Sequence, residues 1–351
     1  MYKTARNCVF MLLACIPLLA GCSGAETTGG NAASSIGGDK AADGKPLKEL
    51  RLAVPHTSLF DVTLPVYVAL EKGFYEEAGI KLETTFTKGG GDTVQGVIGG
   101  SIDIGIATGP QSIVAAYMRG APLKIISAQA SGYDFFWMVK GDSPYQSLKD
   151  LAGKTIGFSS VGSSTDMAVK VLNQMLKKDN LAEMKGMPIG SPPDQITAVL
   201  TGQIDAGFSL APTGTKEMAE GKLRTVIKGL DIEEYKNVAT RVNFTNASFF
   251  KEHPDTVKAF LTAQQKAIDW IFANRDEAVA IWKKRAELKE DEATLKKTFD
   301  YYPQESTRLA PLDGIDKIIE DSITYKFIDK APTAEQIKEL FDLQYAPVYK
   351  K

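Results

Sequence analysis

The strongest constraint on the fold is a segment that the chain carries twice. Asp92-Thr-Val-Gln-Gly-Val-Ile-Gly-Gly-Ser-Ile-Asp-Ile-Gly-Ile-Ala-Thr-Gly-Pro110 returns without a gap as Asp194-Gln-Ile-Thr-Ala-Val-Leu-Thr-Gly-Gln-Ile-Asp-Ala-Gly-Phe-Ser-Leu-Ala-Pro212. Asp92/Asp194, Val97/Val199, Gly100/Gly202, Ile102/Ile204, Asp103/Asp205, Gly105/Gly207 and Pro110/Pro212 are identical. Each copy reads as a short apolar helix, a glycine stop, a buried strand and a loop into proline-led structure. A solenoid needs at least about three units, so two copies a domain apart predict two lobes of similar α/β construction.

The rest of the chain agrees with that plan. Strands are expected at 50–54, 81–87, 123–129, 136–139, 154–159, 187–189, 223–227 and 238–244. Helices fall between them, which is the pattern of parallel βαβ units. Thr63 with Pro65 is expected to open the first helix, which runs to Glu71. From Pro254 onward the pattern is helical, with Phe260, Ile268, Ile271, Phe272, Ile281 and Trp282 on apolar faces. Trp270 and Trp282 read as core or boundary residues rather than ligand cages.

The N-terminus carries an address. Lys3 and Arg6 precede an apolar run, Val9–Ala20, that is short for a membrane span. It ends in Leu19-Ala20-Gly21-Cys22, which resembles a bacterial lipobox; the resemblance implies that Cys22 becomes a lipid-modified first residue. An ordinary signal peptide cut after Gly21 is the alternative. The three cysteines are Cys8, Cys15 and Cys22, so the mature body is expected to hold no disulfide, no cysteine metal site and no cysteine nucleophile. Residues 22–47 contain almost no large apolar side chain and are expected to be a tether. Removing residues 1–21 takes away Lys3 and Arg6 and moves the formal charge from −2 to −4, which argues against nucleic acid as a partner.

Several segments of the body then resemble one family. They are Leu70-Glu-Lys-Gly-Phe-Tyr-Glu-Glu-Ala-Gly-Ile80, Gly100–Thr108, Asp142–Gly157 and Gly162–Ser164. In this order they are similar to the nitrate-, sulfonate- and taurine-binding group of ABC-importer solute-binding proteins, over roughly residues 48–345. The resemblance implies an α/β, two-lobed type II periplasmic-binding-protein fold with two interlobe crossovers and a helical C-terminal region. Lobe one would comprise 48–138 plus 243–351, and lobe two 139–242. It further implies a monomeric lipoprotein, exposed to the periplasm or the outer face of the cell membrane. Such a protein hands a small-molecule ligand to a membrane permease driven by a separate ATPase subunit. The chain itself has no Gly-x-x-x-x-Gly-Lys-Ser/Thr phosphate loop.

Ligands of open α/β sheets sit beyond the carboxyl ends of parallel strands, where helix N-termini present free N–H groups. Four such loops supply candidates: Thr57, Ser58 and Phe60; Thr108 and Gly109; Gly162, Ser163, Ser164 and Thr165; and Ser209. Ser163-Ser-Thr165 is the sharpest, with hydroxyls suited to a sulfonate or carboxylate, although Ser163 and Asp166 also have the spacing of a capping box. Tyr133 and Asp134, near the first crossover, either face the cleft or pack between lobes; Asp134 in the cleft would suit a ligand amino group. Asp103 and Asp205 are expected to hydrogen-bond local backbone. None of the four loops holds an Arg or Lys, and His56 is their one titratable base. A singly charged acid, a zwitterion or an aromatic carboxylate fits that better than a polyanion.

An aliphatic sulfonate or taurine-like ligand is the first expectation, with an aromatic carboxylate, nitrate or a pyrimidine (thiamine-precursor) ligand as alternatives. An enzyme is the rival class. His56 and His253, the chain's two histidines, stand in no Gly-x-Ser-x-Gly context and at no metal-ligand spacing. No catalytic residue, metal or cofactor is therefore expected. A sensor ectodomain is a further possibility.

Overall fold

The computed structural model describes residues 46–348. The expected signal peptide, Cys22 and nearly all of the tether lie outside that range. In chain order the first half runs β1 (Lys48–Pro55), α1 (Phe60–Glu71), α2 (Phe74–Glu77), β2 (Ile80–Thr87), α3 (Gly90–Ile98), β3 (Ile104–Thr108), α4 (Pro110–Met118) and β4 (Leu123–Ser131). Next come β5 (Phe136–Lys140), β6 (Thr155–Phe158), α5 (Ser164–Lys178), β7 (Lys185–Pro188), α6 (Pro192–Thr201), β8 (Gly207–Ser209), α7 (Thr215–Ala219) and β9 (Leu223–Lys228). The chain returns through β10 (Ala239–Asn246). It finishes with α8 (Ala247–Glu252), α9 (Pro254–Ala273), α10 (Arg275–Arg285), α11 (Glu292–Lys296), α12 (Ile315–Thr324) and α13 (Ala334–Leu340).

The first sheet has the order β2-β1-β3-β10-β4, with β1 parallel to β2 and β3, and β10 antiparallel to both neighbours. The second half repeats this plan. β6 pairs with β7 in parallel, the Ile156–Ala206 bridge joins β6 to the entry of β8, and β5 runs antiparallel between β8 and β9. The effective order β7-β6-β8-β5-β9 matches the first sheet strand for strand. In each, the antiparallel member has crossed over from the other half of the chain. β5 enters the second sheet at Phe136 and β10 enters the first at Ala239.

The duplicated segment supplies the third strand of each sheet, and its shared residues do the same work twice. Asp103 accepts the backbone N–H of Arg51 on β1 at 2.8 Å, and Asp205 accepts that of Thr155 on β6 at 2.8 Å. Each repeat aspartate thus clamps the neighbouring parallel strand, rather than its own turn as expected from sequence. A Cβ on Gly105 would lie 2.5 Å from Phe244, and one on Gly207 would lie 2.9 Å from Val199; the shared glycine lets the strand pack closely.

α1 is buried on every side, from Phe60 to Ala69, between the first sheet and the C-terminal helices. Phe60 stacks on Tyr302 at 4.9 Å and meets Trp282 and Phe299 edge-on at 5.5 and 4.9 Å, an aromatic cluster of the kind that dominates core energetics. The helix begins three residues before Thr63, so Pro65 stands inside it. A proline there removes the donor for the carbonyl four residues earlier. That carbonyl, of Asp61, instead accepts from the Gln129 side chain at 2.5 Å. No helix among the described residues is long and apolar enough to cross a membrane.

Candidate functional site

The two repeat strands end at one cavity. Its volume is about 30 Å³. On the first-sheet side it is lined by Pro55, His56, Leu59, Val62, Gly90, Ala107, Gly109 and Arg241. On the other side it is lined by Phe135, Ser159, Ser163, Ser164, Thr165, Phe208 and Leu210. The sides meet closely: a Cβ on Gly109 would stand 2.8 Å from the Ser164 nitrogen, and one on Gly89 would stand 2.7 Å from the Ser160 hydroxyl.

The second side is a helix start. Ser163 is the N-cap of α5, and its hydroxyl accepts from the Asp166 N–H at 3.1 Å. The reciprocal arm of the expected capping box is displaced by one residue, because the Asp166 carboxylate takes the N–H of Gly162 at 2.8 Å. The N–H groups of Ser164 and Thr165 find no acceptor among the described residues. The helix dipole and these donors favour an anion at this point. The Thr165 hydroxyl lies 3.0 Å from both the Ser159 and the Ser163 hydroxyls, so the oxygens form one chain.

The first side holds the charge. Arg241 projects from β10 and is buried, with Nη2 shared between Asp61 at 2.5 Å and Asp134. Burial opposes its charge, but Asp134 and then Asp61 hold its pKa above the ordinary value, so it remains a guanidinium. Burial raises Asp61 to about 7, against the pull of Arg241 and with the push of Asp134. Burial, helped by the Arg241 charge and opposed by Asp194, lowers His56 to about 4; it faces the cavity neutral, with Nδ1 buried and unpartnered among the described residues. His56 (φ 79°) and Ala107 (φ 51°) both occupy the left-handed region. This is unusual for such residues and is the kind of strain that clusters at ligand sites. The Ala107 N–H is held by the Asn243 side chain at 3.1 Å.

Of the residues singled out from sequence, Gly109, Ser163, Ser164 and Thr165 line the cavity, and the others lie elsewhere. Phe60 is in the aromatic core. Tyr133 packs on Tyr235 and Phe135 at 5.0 and 5.2 Å. Asp134 is committed to Arg241 rather than open to a ligand amine. Thr108 and Ser209 are buried and bond to the carbonyls of Ile106 and Thr213. Gly162 turns the loop at φ 81°. Thr57 is exposed and Ser58 half-buried; Thr57 contributes its carbonyl to the Tyr67 hydroxyl. Sequence reasoning missed Arg241, Asp61 and Phe208, whereas Phe135 and Leu210 belong to the aromatic run and the strand-end loop that the sequence already places near the cleft. The missed signal was periodic. Ser127, Gln129 and Ser131 on β4, and Arg241, Asn243 and Thr245 on β10, are polar residues at a spacing of two, and all are buried. Polar alternation on two adjacent, buried strands marks a buried polar face.

Fold and site together define a two-lobed fold of the periplasmic-binding-protein type, with its cavity between two α/β sheets of equal plan. The chain belongs to the NMT1/THI5-like family, whose model matches residues 61–278. It is 27% identical over 330 residues to a putative aliphatic sulfonates-binding protein of Bacillus subtilis, covering 92% of this chain and 90% of that one. It is 25% identical over 240 residues to a 4-amino-5-hydroxymethyl-2-methylpyrimidine phosphate synthase of Saccharomyces cerevisiae, covering 64% and 67% of the two chains. The periplasmic aliphatic sulphonate binding protein SsuA of Escherichia coli superposes with a TM-score of 0.65 at 18% identity, over 85% of this chain and 98% of that one.

Proposed function

We propose that this protein is the ligand-trapping subunit of an ABC importer, anchored outside the cytoplasm through a lipid on Cys22. Its two lobes close over a small organic anion, an aliphatic sulfonate first among them. The observation that carries this reading is the pairing of opposite walls: free N–H groups and hydroxyls at the start of α5 face the buried Arg241 across a cavity whose remaining lining, His56 and Ser159 apart, is apolar. An acid oxygen on Ser164 and Thr165 receives charge-assisted hydrogen bonds, while Leu59, Val62 and Leu210 shelter a short alkyl chain. Contacts to both walls exist only when the lobes are together, so the ligand favours the closed state that a permease recognises. ATP hydrolysis is left to a partner subunit, and the binding protein acts as a monomer.

The reading includes no catalysis. His56 is the one histidine on the cavity wall and is held neutral, and the sequence has no cysteine after Cys22. A pyrimidine ligand is the second reading, favoured by the likeness to the yeast synthase and by Phe135 and Phe208, two aromatic faces on one wall. A thermal-shift screen with ethanesulfonate, taurine, nitrate, benzoate and an aminopyrimidine separates the two. Ethanesulfonate is expected to raise Tm, and Ser163→Ala with Ser164→Ala to reduce that rise. A response to the aminopyrimidine alone selects the second reading, and turnover of any compound without a Tm rise overturns the import role.

A further inference from the structure

We infer that Asp61 is a specificity-determining residue of this site: by sharing Arg241 with Asp134, it restricts the cavity to singly charged acids, each taken up together with one proton. The inference rests on the anion reading above and adds a charge rule to it.

Two carboxylates, on α1 and in the segment between β4 and β5, meet one guanidinium, and the three side chains are 1%, 5% and 5% exposed. The group therefore holds one excess negative charge in a place where an unpaired charge is expensive. Arg241 also lines the cavity, so an entering anion adds to that excess. One proton on Asp61 removes it: the ligand's acid group then takes over the negative charge that Asp61 gives up, and the charge at Arg241 is unchanged. A dianion has no second group to discharge in this way, since Asp134 must still hold Arg241.

The geometry offers the proton a place. Asp61 Oδ1 is buried with no hydrogen-bond partner among the described residues, as are Asp134 Oδ1, Arg241 Nε and the Tyr302 hydroxyl. Protonating Asp61 therefore breaks no existing bond at that oxygen. The groups facing the pair are Arg241 from β10, Tyr302 from the segment after α11, and His56 from the loop after β1, with Asp194 acting on His56 from α6. His56 is neutral, and Tyr302 is held un-ionised by burial. Asp61, raised to about 7 chiefly by burial, is the member that titrates in the neutral range. Its folded pKa lies above the ordinary carboxylate value, so its stabilising contribution is full at low pH and is lost as pH rises through about 7.

Calorimetric titration of the wild type with ethanesulfonate, in phosphate and in Tris at pH 8, tests the rule. The expected results are uptake of about one proton and an affinity that falls up to about tenfold per pH unit above 7. Ethane-1,2-disulfonate should bind at least about tenfold more weakly. Asp61→Asn should give a flat pH profile. Carbon-13 labelling of the aspartates needs neither ligand nor variant and should reveal one carboxyl with a midpoint near 7. Bound ethanesulfonate with equal heats in the two buffers, or aspartates that all titrate in the ordinary range, overturns the role of Asp61. An absence of ethanesulfonate binding at every pH overturns the anion reading beneath it.

Discussion

The two walls of the cavity are built on the same segment and reach it by the same route, yet they carry opposite chemistry. In both copies an aspartate clamps the next strand and a glycine admits a close neighbour. Both strands then end at the cavity through every second residue: Ala107 and Gly109 in the first copy, Phe208 and Leu210 in the second. The first copy leaves room for Arg241 and His56 to arrive from elsewhere, whereas the second fills its side with apolar surface beside the hydroxyls of α5. Identity is spent on holding the sheets together, and divergence begins where the strand meets the ligand space.

The comparison breaks most visibly if the charged wall is neutralised. Arg241→Met leaves two buried carboxylates without their cation and should cost about 3–5 kcal/mol at pH 8, measured by chemical unfolding. The cost should shrink toward pH 5, where Asp61 is protonated. Next in size is the packing glycine. Gly105→Ala places a Cβ 2.5 Å from Phe244 and 2.6 Å from Thr93 and should cost about 2–3 kcal/mol. Gly207→Ala meets Val199 at 2.9 Å and should cost about 1 kcal/mol; equal costs would show that the two copies pack alike.

The clamping aspartates sharpen the same comparison. Asp103 accepts three N–H groups of Arg51, at 2.8, 3.1 and 2.5 Å, whereas Asp205 accepts the Thr155 N–H at 2.8 Å and the Tyr145 hydroxyl at 3.1 Å. Asp103→Ala should therefore destabilise by about 2 kcal/mol and Asp205→Ala by about 1 kcal/mol. The smallest effect on stability, and the most selective one on binding, is Gly109→Ala. Its φ of −61° suits alanine, but the added methyl would press on the Ser164 nitrogen at 2.8 Å. Because the proposed opening of the lobes relieves this contact at little cost, Tm should be nearly unchanged, while affinity for the ligand, which needs the closed state, falls about tenfold, or about 1.4 kcal/mol.

These pairs also show what the amino-acid order could and could not convey. The duplicated segment was enough to predict two lobes of similar plan, because glycine, aspartate and apolar periodicity are local signals. The start of α5 was legible for the same reason. The hydroxyls of Thr108 and Ser209 make them candidates from sequence, but strand alternation turns the adjacent residues to the cavity. Arg241 reaches the site by a crossover of the chain, and its partners Asp61 and Asp134 are 180 and 107 residues away. No local spacing encodes such a meeting. Pro65 misled for a related reason: a proline usually marks a helix start, and what permits it inside α1 is a glutamine 64 residues further on.

That glutamine has a consequence for how the protein can change over generations. Its amide nitrogen serves the Asp61 carbonyl, its amide oxygen accepts from Asn243 at 2.9 Å, and Asn243 in turn holds the Ala107 N–H at 3.1 Å. A descendant that exchanged Pro65 for an ordinary residue would give that carbonyl a second donor, which its two lone pairs can accept, whereas one that lost Gln129 first would strand it. Gln129 is therefore expected to persist wherever Pro65 does, and Asn243 with it, because the pair holds Ala107 at the cavity wall.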